Sequence, residues 1–263
     1  MSSLSEQTSA RIQATYDRDM GVPREVQTDG NVVTRPAKPW TSTVHHLLRH
    51  LHAEGLPVPL PLSLDETTET VTLVVGDAGQ QSWPHQLELS GVESAGRLLR
   101  RVHDATATWT PPNDAVWSVP VEEGDVICHG DPQPANMAWQ NGVAVGLFDW
   151  DDARPAPRIS DVAYALEWLT PFENDPAELQ RRGFRSEPDR RARIEAFLAG
   201  YRWDEPLDVV HAVLDRQRRA IDEVVYLGSR GHEPAATWVA EGWPTRWLAK
   251  LDVTRSIAAD LHP

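Results

Sequence analysis

The residue types best suited to chemistry lie in one stretch of the chain, residues 126–152. It holds a histidine, His129, and three oxygen-bearing side chains at short spacing, Asp131, Asn136 and Asp149. Carboxylate and amide oxygens suit a hard cation such as Mg²⁺, which binds one or two carboxylates together with substrate phosphates. With Asn136 and Asp149 as metal ligands, Asp131 is left to accept a proton from a hydroxyl group. A base, two metal ligands and no covalent nucleophile favour in-line phosphoryl transfer from a Mg-nucleotide.

A tight hairpin is predicted to bring these side chains together. Asn141-Gly142 separates two apolar runs, and this dipeptide is the strongest short-range signal for a two-residue turn between strands. Pairing outward from that turn places Asn136 near Leu147, with Asp149 at the same open end and Asp131 on the incoming loop. Each Asp or Asn taken alone is more commonly a turn-capping residue, but the whole group around one hairpin favours a site.

The elements that must hold this stretch form a small sheet followed by helices. Apolar periodicity and turn residues predict them. They are a helical or loosely ordered lead-in over residues 1–25, strands over 32–35, 58–64 and 70–75, a helix capped by Thr41 or Ser42 and ending at Gly55, a helix over 92–106, and mostly helices from Asp161 onward. Residues 76–79, Gly-Asp-Ala-Gly, are the predicted boundary between a small N-terminal lobe, residues 1–76, and a larger C-terminal lobe, residues 77–263.

The composition restricts the function class and the compartment. Across 263 residues, 25 lysines and arginines stand against 39 acidic residues, and the net charge of −14 disfavours nucleic acid and favours cationic small-molecule partners. The single cysteine, Cys128, excludes an internal disulfide and a cysteine-rich zinc site. The polar N-terminus carries no apolar signal core, and no apolar run is long enough to span a membrane. The sequence therefore predicts a cytoplasmic protein that binds neither nucleic acid nor membrane.

The central stretch resembles a known enzyme family. It has His-Gly-Asp at residues 129–131, then Asn136, then Asp149 at the end of an apolar strand, and Asp161 where a helix begins. This pattern is similar to the catalytic segments of the aminoglycoside phosphotransferase and choline kinase branch of the protein-kinase-like fold, most clearly over residues 126–168. The resemblance implies an α+β, bilobal protein-kinase-like fold with a reduced N-lobe and a mainly helical C-lobe that carries the catalytic loop and the substrate site.

The resemblance also implies a role for each residue of the motif. Asp131 would be the catalytic base, and Asn136 and Asp149 would be the Mg²⁺ ligands. His129 and Asp161 would support the catalytic loop through hydrogen bonds.

A nucleotide site between the lobes is implied in the same way. ATP or GTP would be the phosphoryl donor, with the connector near Val75 contacting the nucleotide base and Arg35 or Lys38 contacting phosphate. The predicted function is Mg-nucleotide-dependent phosphorylation of a hydroxyl group on a small molecule, aminoglycoside- or amino-alcohol-like, with the acceptor's identity, the choice of nucleotide and the oligomeric state left open.

The N-terminal lobe departs from the family pattern. Such kinases have a glycine-bearing loop over the phosphates, a strand lysine and a helix glutamate that positions it. Here no glycine-rich loop precedes the first strand, Arg35 stands at the lysine position, and His45 and His46 lie where the glutamate is expected. Both histidines are expected at the helix surface. A catalytically weak or inactive pseudokinase, acting as a binding or regulatory module, is the alternative function.

Two other enzyme classes fit parts of the motif. Residues 149–151, Asp-Trp-Asp, are also similar to the Asp-x-Asp of phosphatases with an aspartyl nucleophile, which need a downstream lysine, here only Lys250. His129 and Asp131 with the later aspartate also suit part of a metallohydrolase site, although the remaining histidines lack ligand spacing. Both interpretations explain less of the motif than phosphoryl transfer does.

Several charged or polar side chains near the motif have simpler expected roles. Asp151 and Asp152 are interpreted as solvated loop charges in preference to ligands of a second metal or a cationic substrate. Cys128 is expected to be an inert buried thiol. The arginine-rich run over residues 181–193 is expected to form a solvated helix face paired with acids.

Overall fold

The structure is a computed structural model that describes residues 26–261, without the side chains of residues 259 and 260. The lead-in predicted over residues 1–25 lies outside the described residues. Among the described residues, no helix is both long and apolar enough to cross a bilayer.

A four-stranded antiparallel sheet and one helix form the N-terminal lobe. The strands are β1 (Gln27–Asp29), β2 (Val32–Pro36), β3 (Pro61–Leu64) and β4 (Thr68–Thr72), in the spatial order β1-β2-β4-β3. Helix α1 (Thr41–Ala53) connects β2 to the edge strand β3. The strand predicted over residues 32–35 and the helix after it are therefore confirmed.

The second pair of predicted strands was wrong at its boundaries. The strand expected from residue 58 begins only at Pro61, because the alternating prolines Pro57 and Pro59 have no N–H to donate to a ladder. Its partner ends at Thr72 instead of residue 75; the N–H of Leu73 makes one more bond in the same register, to the carbonyl of Asn31 at 2.7 Å, where β2 has not yet begun.

The start of α1 also differs from the prediction. Trp40 is the N-cap residue and has no side-chain capping bond. The hydroxyl of Thr41, which was expected to cap the helix, instead accepts the backbone N–H of Lys38 at 2.8 Å. The hydroxyl thus fixes the turn that leads into the helix.

The C-terminal lobe is mainly helical and contains two short antiparallel strand pairs. The pairs are β5 (Val126–Cys128) with β8 (Arg154–Ala156), and β6 (Met137–Gln140) with β7 (Val143–Leu147). The helices are α2 (Leu89–Thr106), α3 (Ile159–Leu169), α4 (Pro176–Arg181), α5 (Arg190–Tyr201), α6 (Val209–Ser229), α7 (Ala235–Ala240) and α8 (Trp243–Leu261). A sheet near the start and helices afterwards agree with the predicted α+β class.

Helices α2 and α5 cross at unusually close range. A Cβ added at Gly96 on α2 would lie 2.3 Å from the carbonyl oxygen of Phe197, and one at Gly200 on α5 would lie 2.0 Å from that of Glu93. Glycine on both helices therefore permits the backbones to touch. Buried residues of α1, α2, the β6–β7 hairpin and α3 share one apolar core, so the helices support the hairpin from below.

Two arginines of α5 do not lie on the solvated face that was expected. Arg190 and Arg193 are buried. Arg193 donates to the carbonyl of Leu169 at 2.6 Å and to that of Gln86 at 2.7 Å. Because the last carbonyls of a helix lack intrahelical partners, this guanidinium serves the end of α3, and burial without an acidic partner lowers the pKa of Arg193 to about 10.

Candidate active site

The predicted hairpin is present and turns at the predicted residues. Asn141 and Gly142 have φ values of 51° and 79°, as a two-residue turn with positive φ at both positions requires. A β-bulge in the hairpin shifts the pairing by one residue beyond the turn. The carbonyl of Asn136 therefore accepts the N–H of Phe148 at 3.0 Å, so Asn136 lies near Leu147 as predicted but pairs one residue further along.

The catalytic loop, residues 129–136, is anchored by one buried carboxylate. Asp161 near the start of α3 accepts the backbone N–H groups of His129 at 2.6 Å and Gly130 at 2.9 Å, and it bonds His103 at 3.1 Å. The other ring nitrogen of His103 bonds the hydroxyl of Tyr201 at 2.7 Å. Burial alone would raise the pKa of Asp161, but its hydrogen bond and attraction to His103 outweigh burial and lower it to about 2.

His129 ties the same loop to the hairpin. Its Nδ1 accepts the N–H of Asp131 at 3.2 Å, which leaves the proton on Nε2, and Nε2 donates to the carbonyl of Phe148 at 2.9 Å. Burial lowers the pKa of His129, in keeping with a neutral ring. These contacts are the ones that the predicted supporting role of His129 and Asp161 requires.

Asp131 lies at the centre of a small hydrogen-bond network. Its carboxylate accepts the side-chain amide of Gln133 at 3.1 and 3.0 Å and that of Asn136 at 2.8 Å, and Tyr164 of α3 donates its hydroxyl. Burial, assisted by the nearby charge of Asp149, raises the pKa of Asp131 to about 6 in spite of these bonds. A carboxylate with this pKa is ionised at neutral pH and can take up a proton.

Asn136 and Asp149 both lie at the open end of the hairpin, where Asn136 bonds the backbone of Phe148, the residue before Asp149. Because the amide nitrogen of Asn136 donates to Asp131, its amide oxygen is available to a cation. Asp149 has a positive φ of 64°, which turns the chain sharply immediately after the strand. An amide oxygen and a carboxylate are hard donors, so the two residues fit Mg²⁺ chemically.

Arg35 extends from β2 to the loop that contains Asp149. Its guanidinium bonds Glu69 at 2.7 Å, Asp149 at 2.9 Å and Asp151 at 2.9 Å, and we call these four residues the Arg35 cluster. Burial alone would lower the pKa of Arg35, but the three carboxylates raise it above its ordinary value, so the guanidinium stays charged. The cluster joins the N-terminal sheet directly to the predicted metal site.

The partner of Arg35 comes from a strand and not from a helix. Glu69 stands opposite Arg35 across the β2–β4 pair, and its second oxygen bonds Nε2 of His45 on α1 at 2.7 Å. Both Glu69 and His45 are only 1% exposed. The expected surface position was therefore wrong for His45 and right for His46, which is exposed.

Glu69 is a residue that the sequence reasoning missed, although a signal existed. Side chains two apart on a strand share one face, so Glu69 lies on the same face as the buried Val71. A glutamate on the apolar face of a strand needs a partner, and Arg35 supplies it.

The other two predicted nucleotide contacts lie outside the Arg35 cluster. The hydrogen bonds of Lys38 within the described chain are made by its backbone, in the turn before α1. Val75 is 62% exposed, and its carbonyl accepts the side-chain amide of Gln140 at 3.0 Å. The connector continues into a backbone pairing of Asp77 with Trp139, at 2.8 and 2.9 Å, that holds it against the hairpin.

Asp151 and Asp152 are not the solvated charges that were expected. Asp151 pairs with Arg35. Burial, together with the charges of Asp131, Glu223 and Asp151, raises the pKa of Asp152 to about 7. Both residues therefore belong to the electrostatics of the site.

Cys128 is buried as predicted, and burial raises the pKa of its thiol. Its sulfur and one ligand atom each of His103 and Asp161 lie within 4.8 Å of one another. Both ring nitrogens of His103 are already bonded, however, and Asp161 holds the catalytic loop. This group is accounted for as a structural network and does not support a metallohydrolase site.

Comparison with known proteins adds the family to this geometry. Residues 113–197 match the phosphotransferase enzyme family. The trifolitoxin immunity protein of Rhizobium leguminosarum bv. trifolii is 33% identical over 233 residues, which cover 82% of this chain and 87% of that protein. The chain belongs to the phosphotransferase enzyme family. Membership confirms the resemblance and the predicted enzyme class, a small-molecule phosphotransferase, in preference to the phosphatase and metallohydrolase interpretations.

Solved structures of phosphotransferases share the fold. A spectinomycin phosphotransferase in complex with ADP and spectinomycin has a TM-score of 0.54 at 11% identity, with 89% of this chain and 92% of that chain covered. A choline/ethanolamine kinase family protein from Mesorhizobium loti has a TM-score of 0.53 at 13% identity, over 92% and 85%. A macrolide 2'-phosphotransferase from Brachybacterium faecium has a TM-score of 0.51 at 14% identity, over 90% and 90%. The predicted protein-kinase-like fold of this phosphotransferase family member is thereby confirmed.

Proposed function

We propose that the protein transfers the γ-phosphoryl group of ATP or GTP to a hydroxyl group of a small molecule, with Mg²⁺ as the metal. The observation that carries the proposal is the placement of Asp131, a carboxylate with a pKa of about 6 that is bonded to Asn136 and lies near Asp149. Residues 1–76 form the nucleotide-binding lobe of the proposal, and residues 77–263 carry the catalytic loop and the acceptor site.

Asp131 acts as the base in this proposal. Gln133 and Asn136 donate to its oxygens and hold the carboxylate in one orientation. Tyr164 of α3 also donates to the carboxylate, so the carboxylate is held in a fixed position when the acceptor hydroxyl binds. In phosphoryl transfer, such positioning supplies most of what the protein contributes besides charge stabilisation.

Asn136 and Asp149 hold the metal. When bound, Mg²⁺ neutralises charge on the phosphates of the nucleotide. The bond from Asn136 to Asp131 links a metal ligand to the base, so the two functions share one rigid hairpin end.

Arg35 contacts phosphate, and Glu69 keeps it in place. Its Nε bonds Glu69, while its two terminal nitrogens bond Asp149 and Asp151. Phosphate oxygens suit the same planar fork. Arg35 therefore exchanges its contacts with Asp149 and Asp151 for phosphate oxygens when the nucleotide enters, and the Glu69 bond stays. Lys38 is the reserve phosphate contact, and the connector at Val75 faces the nucleotide base.

The acceptor is a small molecule and not a nucleic acid or a membrane surface. A net charge of −14 favours a cationic acceptor such as an aminoglycoside or an amino alcohol. A nucleoside triphosphate donor places the reaction in the cytoplasm. Since the trifolitoxin immunity protein is 33% identical over most of its length, a toxin that this chain phosphorylates is a further acceptor class to screen.

A pseudokinase that acts as a binding or regulatory module is the second candidate function. The observation that favours it is the arginine at the lysine position, because its guanidinium already neutralises Asp149 and Asp151. The candidates differ in whether Asp131 is needed for the biological effect.

A thermal-shift titration with ATP and GTP, each with and without Mg²⁺, is the decisive first experiment. Ligand at about 100 times its Kd stabilises the folded state by roughly 2.7 kcal/mol, which raises the Tm of a chain of this size by several degrees. A Mg²⁺-dependent shift followed by ADP release with an aminoglycoside or amino alcohol supports the kinase. No shift at millimolar nucleotide, or a shift without turnover for any acceptor, favours the pseudokinase.

A further inference from the structure

A partly buried carboxylate on α6 binds two buried arginines, one from β8 and one from α6 itself. One oxygen of Glu223 pairs with Arg154 of β8, and the other pairs with Arg216 at 3.0 Å. Arg154 and Arg216 have side chains that are 0% and 3% exposed, against 18% for Glu223. Two buried guanidinium groups thus share one carboxylate. Among the described residues the Nε of each arginine has no hydrogen-bond partner, so the arrangement is costly and depends on the bonds that the terminal nitrogens make.

Each arginine uses another nitrogen to hold a main-chain carbonyl in the proposed active site. Arg216 donates to the carbonyl of Gly130 at 2.9 Å, and Gly130 directly precedes Asp131. Arg154 donates to the carbonyl of Asp152 at 3.0 Å, in the loop that begins with Asp149. The guanidinium of Arg216 also lies 4.8 Å from the ring centre of Tyr164, the donor to Asp131.

The two carbonyls belong to backbones that touch each other. Gly130 has a φ of +91°, and a Cβ added there would lie 2.2 Å from the carbonyl oxygen of Asp152. Any change in the distance between these two segments therefore moves the base relative to the metal ligand. That distance is fixed by Arg154 and Arg216, which are joined to each other through Glu223. We call these three residues the α6 clamp.

We propose that Glu223 is a positioning residue that sets the distance between Asp131 and the Asp149 loop through Arg216 and Arg154. The inference rests on the proposed function for the role of Asp131. The bonds from Arg216 to Gly130 and from Arg154 to Asp152 do not depend on that role. None of these three residues belongs to the sequence motif that carries the family resemblance. Arg154 is brought to Arg216 and Glu223 only by the fold.

Hydrogen exchange measured by mass spectrometry tests the clamp without any need for turnover. Glu223→Gln keeps the size of the side chain and removes the charge that both arginines share. Exchange is expected to rise on the order of tenfold in peptides covering residues 126–136 and 148–156, while peptides of α1 remain unchanged. Unchanged protection in the folded variant, or an equal rise over the whole chain, would overturn the proposal.

Two further variants make the test specific. Asp222→Asn removes the neighbouring exposed acid of α6 and is expected to leave all peptides unchanged; a rise in the same two peptides would contradict a role particular to Glu223. Should Glu223→Gln not fold, Glu223→Asp keeps the charge but is one methylene shorter and cannot reach both arginines. The same two peptides are then expected to exchange faster, and unchanged peptides would overturn the proposal.

A kinetic measurement separates positioning from general stability. With Mg-ATP and water as the acceptor, Glu223→Asp is expected to lower kcat for ADP release on the order of tenfold, since the clamp sets the distance between Asp131 and the Asp149 loop. The KM for ATP is expected to change less. An increase in KM at constant kcat would contradict it. If the unchanged protein releases no ADP with water, the same comparison is made with an acceptor from the screen; failure with every acceptor counts against the proposed function, and the exchange result still decides the clamp.

Discussion

The catalytic loop and the Arg35 cluster face each other across the proposed site, yet they are held in different ways. The loop is fixed by hydrogen bonds to backbone N–H groups, with Asp161 as the buried acceptor. The Arg35 cluster is held by hydrogen bonds between charged side chains, two of which join segments 114 and 116 residues apart in sequence. In the proposed function, Asp131 is therefore preorganised as the base, whereas Arg35 must exchange partners when a nucleotide binds.

Removing the base is expected to have the largest effect. Asp131→Asn keeps the shape of the side chain but cannot accept a proton, so turnover should fall on the order of 10²- to 10⁴-fold. The nucleotide-induced rise in Tm should stay, because Arg35 and Asp149 are untouched and the amide oxygen of the new asparagine can still accept the bond from Asn136. ADP release and thermal shift measured on the same sample check this, and wild-type turnover in the variant would remove Asp131 as the base.

Removing the anchor of the loop is expected to affect stability next. The pKa of Asp161 in the folded protein is about 2 against an ordinary value of 3.8, so its ionised form stabilises the fold by about 2 kcal/mol at neutral pH. Because the folded pKa is the lower one, this contribution is present above about pH 4 and is lost as the pH falls towards 2. The free energy of unfolding, measured in urea at pH 7, should be lower for Asp161→Asn than for the wild type. The difference between the two free energies should become smaller between pH 4 and pH 2. A constant gap would contradict the assignment.

Weakening the Arg35 cluster should change the KM for ATP more than it changes kcat. Glu69→Gln weakens a buried charge-assisted bond to Arg35, and we expect the KM for ATP to rise about tenfold while kcat changes less. His46→Ala on the neighbouring helix surface is the matched control and should behave as wild type. A fall in kcat at constant KM would place Glu69 with the catalytic loop instead.

The pH profile is the mildest test of the comparison. With a pKa of about 6 for Asp131, kcat/KM should rise with pH through 6 and reach about half of its plateau there. Arg35 stays charged over the same range, so the KM for ATP should not follow this limb. A profile that is flat between pH 5 and 7.5 would remove Asp131 as the base.

Local sequence signals were sufficient to predict the hairpin beside the proposed catalytic loop, but not the contacts around it. His129, Asp131 and Asn136 lie within one short segment, and Asn141-Gly142 predicts the turn because only its backbone conformation is at issue. The exact partner of Asn136 was missed, because a β-bulge is decided by packing around the hairpin and not by the turn.

The contacts that were missed are those that depend on tertiary packing. Glu69 meets Arg35 through the strand register, and His45 meets Glu69 because α1 packs on that sheet. Arg154 and Glu223 are 69 residues apart, and the sequence around either residue does not indicate that the other is its partner. Prolines explain the remaining errors, since residues 57–61 are apolar enough for a strand but lack the N–H donors that a strand needs.

The guanidinium of Arg35 also acts as a counter-ion. Like charges at Asp149 and Asp151 are kept side by side by a cation that is part of the chain. We therefore expect the protein to keep its fold and its Tm in EDTA, since no divalent ion is needed to hold these acids together. Binding of Mg-nucleotide then replaces one cation by another at a site that is already formed. We therefore expect salt to change the affinity for Mg-nucleotide without changing how much of the protein is folded.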